Sequence, residues 1–445
     1  MEEKAIRPAE FRPSGPLRGA ARLPGDKSIS HRALICAAMA LGRSRIENLS
    51  EGSDVAATAS ALRAMGAGIE RDGGGWAVDG VGAGGLLQPA GALDMGNSGT
   101  SARLLAGLVA SHPIAATFTG DPSLSRRPME RVAAPLRRIG AEVTTSPGGR
   151  LPMRVRGLCP AVARTHRLDT PSAQVKTALL LAALNVPGVT RIVEPVATRD
   201  HSERMLKLFG ADIAVEGDEI RLRGEAPLRP QVLSVPGDPS AAAFLVVAAL
   251  LVPGSELRIE SVGMNPTRIG LFGLLREMGA DIAVSNPRET GGEPVADLVV
   301  RHSQLSAIDV PPDVAPGMID EFPIFFVAAA FARGTTRAGG LGELRLKESD
   351  RLAVMAEGLR SIGARVEQRG DGLAIAGTGG GLLAGAATID PRLDHRVAMS
   401  FAVAGLRSVE PVTVANMSVA DTSFPGFAAA LAAAAEAGGG EVPWA

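Results

Sequence analysis

The sequence of 445 residues predicts an α/β protein of two domains, each built from three βαβαββ units. Three observations carry this prediction. A helix tail that ends in Gly-Ala recurs along the chain, a second and more apolar helix precedes each recurrence, and the turn Pro-Gly-Asp occurs at both 24–26 and 236–238. A single unit cannot cover a helix that is apolar on nearly all faces, so the units must pack around one another.

The repeated phrase places a glycine after each helix tail, and this glycine suits the left-handed position that ends a helix. The alternating residues that follow predict strands. The glycines are Gly66, Gly140, Gly210, Gly279 and Gly363, and a sixth, degraded copy fits 431–438.

Each unit is predicted to contain one buried helix and one amphipathic partner helix. The buried helices are expected to start near Ser30, Asn97, Ser172, Asp238, Asp320 and Asp394. The partner helices are expected to start near Ser53, Arg127, Thr198, Thr267, Ser349 and Thr422.

A chain of 445 residues is too long for one ordinary core. Six units divide into a first domain, 23–234, and a second domain, 1–22 plus 235–445, with crossover strands at about 16–23 and 230–236. The alternative is one continuous solenoid of six units, although solenoid repeats are usually shorter.

Composition excludes several classes of protein. A net charge of −1 argues against sequence-independent nucleic-acid binding. Cys36 and Cys159 form no disulfide framework, and the six histidines show no ligand spacing, so no metal is expected. The N-terminus has no apolar segment of a signal peptide, and the longest apolar runs are too short to span a membrane. We therefore expect a cytoplasmic protein that binds neither membrane nor nucleic acid.

The segment 24–32 joins a turn to a helix start that carries Lys27, Ser28 and Arg32. Free backbone N–H groups at a helix start favour an anion, although a serine-capped helix after a turn explains the pattern equally simply. The second copy, 236–240, keeps the turn and has Pro239 in place of Lys27. The added cations therefore indicate an anion site.

Other helix starts carry similar polar residues. If the starts within a domain point the same way, their dipoles and cations converge on one positive pocket, which suits phosphates and carboxylates. The cations are Lys27, Arg32, Arg127, Arg199, Lys347, Arg351 and Arg396.

Individual motifs leave alternatives open. The segment 96–100 is either a glycine loop or a turn with a cap, and Asp320 is either a helix cap or a base in apolar surroundings. Lys347 and Arg351 lie four residues apart and would repel each other unless an anion lies between them. Asp394 reads most simply as an N-cap with a salt bridge.

Taken together, the motifs closely resemble those of the 5-enolpyruvylshikimate-3-phosphate synthase family, in order and over nearly the whole chain, and the departures from the common pattern point to its less common bacterial subgroup. They are 24–32, 96–100, 127–128, 172–174, 318–320, 347–351 and 394–396. The resemblance implies an inside-out α/β barrel of two three-unit domains, with the active site in the cleft between them. It also implies a monomer without cofactor.

The implied reaction transfers enolpyruvyl from phosphoenolpyruvate to the 5-hydroxyl of shikimate 3-phosphate and releases phosphate. The resemblance assigns catalysis to Asp320, Glu348 and Lys27. It assigns shikimate 3-phosphate binding to Lys27, Ser28, Arg32, Ser172, Ala173, Gln174, Arg199, Asp320 and Lys347. It assigns phosphoenolpyruvate binding to Lys27, Gly99, Arg127, Gln174, Arg351 and Arg396.

Three positions depart from the common family pattern. Arg199 stands where many members have a tyrosine, Ala173 where a serine is common, and Thr422 where a lysine often contacts phosphoenolpyruvate. Gly99 lies where a larger side chain would crowd the phosphoenolpyruvate pocket and exclude glyphosate, so inhibition by glyphosate is expected.

Three rival functions follow from the residues and the repeats. The sister enolpyruvyl transferase that acts on UDP-N-acetylglucosamine usually has Lys-Asn at the first motif and often a loop cysteine as acid, and neither Lys27-Ser28 nor the two cysteines fit it. A non-catalytic protein that binds phosphosugars or other anions is the rival from a different class. An RNA-phosphate cyclase, suggested by the repeats alone, lacks a nucleotide-handling motif.

Overall fold

The computed structural model describes residues 6–439, and within them it has six open sheets, of which the four with four strands share one strand order. The strands are β1 (Ala9–Phe11), β2 (Arg18–Arg22), β3 (Leu41–Glu47), β4 (Gly68–Asp72), β5 (Gly75–Val81), β6 (Leu93–Asp94), β7 (Ala115–Thr119), β8 (Glu142–Ser146), β9 (Arg150–Arg156), β10 (Thr165–Arg167), β11 (Val189–Val193), β12 (Asp212–Glu216), β13 (Glu219–Arg223), β14 (Val232–Ser234), β15 (Glu256–Gly263), β16 (Asp281–Thr290), β17 (Glu293–Arg301), β18 (Thr335–Ala338), β19 (Arg365–Arg369), β20 (Gly372–Ala376), β21 (Ala387–Ile389) and β22 (Val412–Val414).

Helices join these strands. They are α1 (Lys27–Met39), α2 (Ser53–Ala64), α3 (Gly99–Val109), α4 (Pro122–Arg126), α5 (Glu130–Arg138), α6 (Ala173–Ala183), α7 (His201–Leu208), α8 (Pro239–Leu251), α9 (Gly270–Glu277), α10 (Ala315–Met318), α11 (Phe322–Phe331), α12 (Arg351–Ser361), α13 (His395–Gly405) and α14 (Phe427–Ala437).

The sheet β6-β7-β9-β8 shows the common order. Its first strand runs parallel to the second, and a helix connects the two, as a parallel pair requires. The last two strands form an antiparallel hairpin that pairs with the second strand. This is the βαβαββ unit, so the predicted fold class is confirmed; among residues 6–439, none of the sheets closes into a barrel.

The contacts divide the chain into two units. The first unit comprises Gly25–Pro236 together with Glu289–Glu293, and the second comprises 6–24, Gly237–Arg288 and 294–439. The crossovers fall at 24/25 and 236/237, whereas the predicted boundaries were 22/23 and 234/235. Each unit has its own hydrophobic core.

Crossover strands complete the first sheet of each unit. In the first unit, β14 runs parallel to β3, and in the second unit β2 runs parallel to β15. Each set of three repeats therefore closes on itself, which a continuous solenoid does not do. In the last sheet β1 pairs with β22 in place of a hairpin, which the repeat pattern did not predict.

The apolar helices lie inside the units, as predicted. All residues of α8 are buried, and α1, α3, α6, α11 and α13 are buried along most of their length. Each Å² of apolar surface that these helices remove from water stabilises the fold by roughly 25 cal/mol.

The five predicted helix-ending glycines all have positive φ, between 86° at Gly210 and 105° at Gly140. The sixth position is shifted, because Gly438 has φ −83° and the positive angle, 80°, falls on Gly439. The partner helix expected near Arg127 begins at Glu130. The reason is Pro128, which favours extended backbone at the residue before it, and Arg127 indeed has ψ 144°.

No helix within residues 6–439 is long and apolar enough to cross a membrane.

Candidate active site

The α1 start is fixed by its turn. A Cβ on Gly25 would lie 1.8 Å from the Asn48 carbonyl oxygen, so only glycine fits there. The Asp26 side chain accepts the Ile29 N–H at 2.9 Å and caps the helix. Lys27 Nζ then lies 3.1 Å from Asp54 Oδ2, with 13% of the lysine side chain exposed. The cation is therefore held at the surface of the helix start.

Arg32 links three elements through its guanidinium. Nη1 donates to the Ser28 carbonyl oxygen at 2.8 Å, Nε to Ser202 Oγ at 2.7 Å and Nη2 to Thr177 Oγ1 at 2.7 Å. Burial lowers the pKa of Arg32 to about 10, and the charge of Arg199 adds to that effect. Arg32 stays protonated at neutral pH, and it ties α1 to α6 and α7.

Around the α3 start, two arginines lie beside Gly99. Arg127 donates to the Asn97 side chain and, at 3.3 Å, to Ser123 Oγ. Arg103 donates to the Gly99 carbonyl oxygen at 3.4 Å and to the Pro128 carbonyl oxygen at 3.0 Å. A Cβ on Gly99 would lie 2.8 Å from Arg103 Nη1 and 3.1 Å from Arg127 Nη1. The glycine leaves space at two guanidinium groups.

The start of α6 brings Gln174 into contact with Arg103. Ser172 caps this helix by accepting the Val175 N–H at 3.4 Å. Gln174 Oε1 accepts from Arg103 Nη1 at 2.7 Å, and its Nε2 donates to Thr100 Oγ1 at 3.0 Å. The segments 96–103 and 172–174 therefore adjoin in the first unit.

A chain of hydrogen bonds among buried side chains connects helices α1, α2 and α3. His31 Nδ1 lies 2.7 Å from Thr58 Oγ1, which lies 2.7 Å from Ser101 Oγ. Ser101 Oγ donates to the α3 cap, Ser98 Oγ, at 2.6 Å. Burial, together with the charges of Lys27 and Arg32, holds the pKa of His31 well below its usual value. The histidine is therefore neutral and serves the geometry of the helix starts.

In the second unit, Asp320 lies between two cations. Its Oδ1 is 3.3 Å from Lys347 Nζ and 3.2 Å from Arg351 Nη1. The sequence required an anion between these cations, and the Asp320 carboxylate is that anion. It is not the α11 cap, because Glu321 occupies the N-cap position.

Arg351 is surrounded by carboxylates. It is 1% exposed and contacts Glu348 Oε2 at 2.6 Å and Asp394 Oδ2 at 2.8 Å. Burial alone would lower the pKa of Arg351, but the charges of Asp394, Glu348 and Asp320 raise it overall. This arginine is a permanent cation.

Arg396 lies on the other side of Asp320. Its Nη1 donates to the Asp320 carbonyl oxygen at 3.0 Å and lies 3.4 Å from Glu321 Oε1. Asp394 accepts the Arg396 N–H at 3.0 Å, so this motif is both an N-cap and an ion pair, as its simplest interpretation predicted. The residues 320–321, 347–351 and 394–396 form one cluster.

Comparison with known proteins decides the family. The model of the EPSP synthase family, 3-phosphoshikimate 1-carboxyvinyltransferase, matches residues 11–431. The chain belongs to the EPSP synthase family. A 3-phosphoshikimate 1-carboxyvinyltransferase of Sphingopyxis alaskensis is 61% identical, covering 97% of this chain and 99% of the relative. One of Novosphingobium aromaticivorans is 59% identical, covering 96% and 99%.

Solved structures agree with this family. The EPSP synthase of Acinetobacter baumannii is 42% identical with a TM-score of 0.86, covering 98% of this chain and 99% of that one. The enolpyruvyl transferase NikO of Streptomyces tendae, at 20% identity and a TM-score of 0.76 over 96% of this chain and 97% of that one, shares the fold. The predicted enzyme class, a transferase of aromatic amino acid biosynthesis, is confirmed.

The sequence did not reveal two residues that shape the site, Arg103 and Asp54. Arg103 was not among the predicted site residues, and the pairing of Asp54 with Lys27 was not predicted. Gly99 begins α3, and Arg103 lies four residues later on the same face of this helix. The spacing could therefore have indicated that Arg103 is a site residue. The Asp54 pairing had no local signal, because the two residues lie on different helices.

Neither cysteine belongs to the predicted site, although Cys36 lies one helical turn after Arg32 on α1. Cys36 is buried inside α1, and burial raises its pKa to about 12. Cys159 is exposed. Among the described residues, no group of three or more histidines, cysteines or acidic residues is placed to hold a metal ion.

Proposed function

We propose that the residues at the α1, α3 and α6 starts of the first unit, together with the cluster of the second unit, carry the family reaction. This reaction transfers enolpyruvyl from phosphoenolpyruvate to the 5-hydroxyl of shikimate 3-phosphate and releases phosphate. The observation that carries the proposal is Asp320 held between Lys347 and Arg351 at 3.3 and 3.2 Å. The two cations favour the ionised carboxylate, so Asp320 is ready to accept a proton. A base placed among cations suits an anionic substrate that must lose a hydroxyl proton.

Shikimate 3-phosphate is expected to use the cations and hydroxyl groups of α1 and α6 in the first unit. Arg32 is fixed by three hydrogen bonds, which gives its guanidinium one orientation toward an anion. The full proposed set is Lys27, Ser28, Arg32, Ser172, Ala173, Gln174 and Arg199, with Asp320 and Lys347 from the second unit.

Phosphoenolpyruvate carries a phosphate and a carboxylate, and arginine matches both groups. The guanidinium groups of Arg103 and Arg127, which flank Gly99, support an anion there. The full proposed set is Lys27, Gly99, Arg127, Gln174, Arg351 and Arg396. Thr422, which ends a 3-10 helix, stands where many members have a lysine, so this chain is expected to bind phosphoenolpyruvate without that cation.

The proposed chemistry needs a base and an acid at the same time. Asp320 takes the proton of the 5-hydroxyl as its oxygen attacks C2 of phosphoenolpyruvate. Glu348, with Lys27, delivers a proton to C3, which gives a tetrahedral adduct with a methyl group. Removal of a methyl proton as the C2–O bond to phosphate breaks gives the product enol ether and phosphate. Arg and Lys side chains stabilise the charge on the phosphate and carboxylate groups.

The remaining expectations also belong to this proposal. The enzyme is expected to act as a cytoplasmic monomer, with no cofactor, no nucleic acid and no membrane among its partners. Gel filtration of the purified protein tests the monomer.

The decisive experiment measures phosphate release with both substrates for the wild type, Asp320→Asn and Lys27→Met. Each variant is expected to lower kcat by about 100-fold or more, since general acid–base groups contribute on that scale. Asp313→Asn and Lys207→Met make the same changes at exposed positions and should keep wild-type rates. Wild-type rates for both site variants would refute the assigned site.

The rival anion-binding function gives a different result in this assay. A non-catalytic protein binds shikimate 3-phosphate, which calorimetry detects, and releases no phosphate when both substrates are present.

A further inference from the structure

The buried lysine of α6, Lys176, has no role in the proposed chemistry. Its side chain is 1% exposed, and its Nζ lies 2.8 Å from Glu194 Oε2 and 2.8 Å from Glu203 Oε1. Nζ also donates to the Thr198 carbonyl oxygen at 3.4 Å. Burying a lysine is expensive unless it is paired, so three acceptors around one ammonium indicate a specific purpose.

All three acceptors belong to one stretch of chain, 194–203, which comprises the connection from β11 to α7 and the first turn of α7. Residues 194–200 have no helix or strand of their own. Lys176 contacts the beginning, the middle and the end of the stretch, and Thr198 Oγ1 donates to Glu194 as well. The peptide group that joins Thr198 to Arg199 is therefore fixed by the lysine.

The same stretch carries Ser202, which contacts Arg32, and Arg199, three residues before it. Ser202 Oγ accepts from Arg32 Nε at 2.7 Å, and the charge of Arg199 is close enough to lower the pKa of Arg32. Two cations held near each other need a fixed backbone, because their repulsion would otherwise drive them apart. Within the described first unit, the contacts of Lys176 supply such a constraint.

We propose that Lys176 is a positioning residue for shikimate 3-phosphate: by holding 194–203, it places Arg199 beside Arg32, ready for the phosphate and hydroxyl groups of this substrate. The proposal rests on the proposed role of Arg199. Lys176 itself does not touch the substrate.

A double-mutant cycle tests this role. Binding of shikimate 3-phosphate is measured by calorimetry for the wild type, Lys176→Met, Arg199→Met and the double variant. Lys176→Met is expected to weaken binding about tenfold, on the scale of one charged hydrogen bond. In the Arg199→Met background the same change should have little further effect, because Arg199 transmits it. The matched control Lys207→Met, at an exposed position of α7, should bind like the wild type.

Steady-state kinetics separate positioning from a merely structural role. Positioning raises KM for shikimate 3-phosphate and leaves KM for phosphoenolpyruvate unchanged. A structural role lowers the folded fraction, which reduces apparent kcat and moves neither KM nor the dissociation constant. Lys176→Arg keeps the charge and should restore part of the affinity.

A second variant covers the case in which Lys176→Met does not fold, since that change leaves two buried carboxylates unpaired. The triple variant Lys176→Met, Glu194→Gln, Glu203→Gln removes their charges, and it too should weaken shikimate 3-phosphate binding. Two results would overturn the positioning role of Lys176 and leave the binding role of Arg199 intact. One is wild-type affinity in a folded Lys176 variant. The other is a double variant whose loss of affinity is the product of the two single losses. Wild-type affinity of Arg199→Met overturns both.

Discussion

Arg351 and Asp394 form a bidentate pair inside the second unit. Nε lies 2.8 Å from Oδ2 and Nη2 lies 3.3 Å from Oδ1, and the side chains are 1% and 0% exposed. The same Arg351 contacts Asp320 and Glu348, which we propose as base and acid. One buried arginine therefore holds the two carboxylates that we propose as base and acid, and Asp394 fixes its orientation.

Asp394→Asn removes the charge from this pair and leaves Arg351 buried with one partner fewer. We expect the free energy of unfolding to fall by about 3–5 kcal/mol, as for other buried ion pairs that lose one member. Urea unfolding followed by circular dichroism measures the change. Asp390→Asn alters an exposed aspartate of the same segment and serves as control. Equal stability of the two variants would show that the pair contributes nothing.

Gly99→Ala tests the space beside the two arginines of the first unit. The added methyl would lie 2.8 Å from Arg103 Nη1 and 3.1 Å from Arg127 Nη1. Arg103 cannot simply move away, because it is bonded to Gln174 at 2.7 Å and to the Pro128 carbonyl oxygen at 3.0 Å. Wild-type enzyme should be inhibited by glyphosate, and the variant should need about tenfold more inhibitor, with a raised KM for phosphoenolpyruvate.

The inhibitor experiment has an internal control in Gly91→Ala, at an exposed position where a Cβ meets no atom within 4 Å. This variant should keep wild-type sensitivity. Full wild-type activity at saturating glyphosate would refute the prediction.

Acid destabilisation is predicted from His166 of β10. Burial, helped by the charges of Arg138 and Arg164, lowers the pKa of His166 from 6.5 to about 4. Between these values the unfolded chain binds a proton that the folded protein does not. The stability that depends on a neutral His166 is therefore fully present above pH 6.5, and it is lost as the pH falls toward 4.

His166→Leu removes the titrating group and fills the site with an apolar side chain. Within residues 6–439, neither ring nitrogen of His166 has a hydrogen-bond partner, so the loss of polar contacts is small. The unfolding free energy of the variant should fall less steeply between pH 6.5 and 4 than that of the wild type. Parallel curves for the two proteins would contradict the assignment.

The two thiols should differ in reactivity. The pKa of Cys36 is raised to about 12 by burial, so it stays protonated and inert at pH 8, whereas Cys159 is exposed. A thiol reagent should modify one cysteine rapidly in the native protein and the second only after denaturation. Cys159→Ser should abolish the rapid reaction and keep full phosphate release. Loss of activity on modification of Cys159 would point to a catalytic cysteine.

Much of the local structure could be predicted because it depends on neighbours in sequence. Asp26, Ser98 and Ser172 each cap a helix by accepting an N–H three residues on, and such contacts follow from short spacings. The helix-ending glycines are equally local, because a left-handed residue is required directly after the last turn. The repeated pattern of helices and glycines predicted the βαβαββ unit, and the order of the motifs predicted the family.

The partners of charged residues could not be predicted in the same way. Lys176 was not among the predicted site residues, and the structure buries it against Glu194 and Glu203. Arg103 and Asp54 acquire their roles from residues on other helices. Those pairings depend on how whole helices pack against one another. The number of residues between two positions does not give the distance between side chains on different helices.

The segment 24–32 shows both sides of this division. The sequence by itself determined a capped helix start with two added cations, because turn, cap and charge are properties of adjacent residues. Only the tertiary structure decided that Lys27 pairs with Asp54 and that Arg32 pairs with Thr177 and Ser202. The physical reason is that desolvated charges need partners, and the fold supplies these from distant parts of the chain.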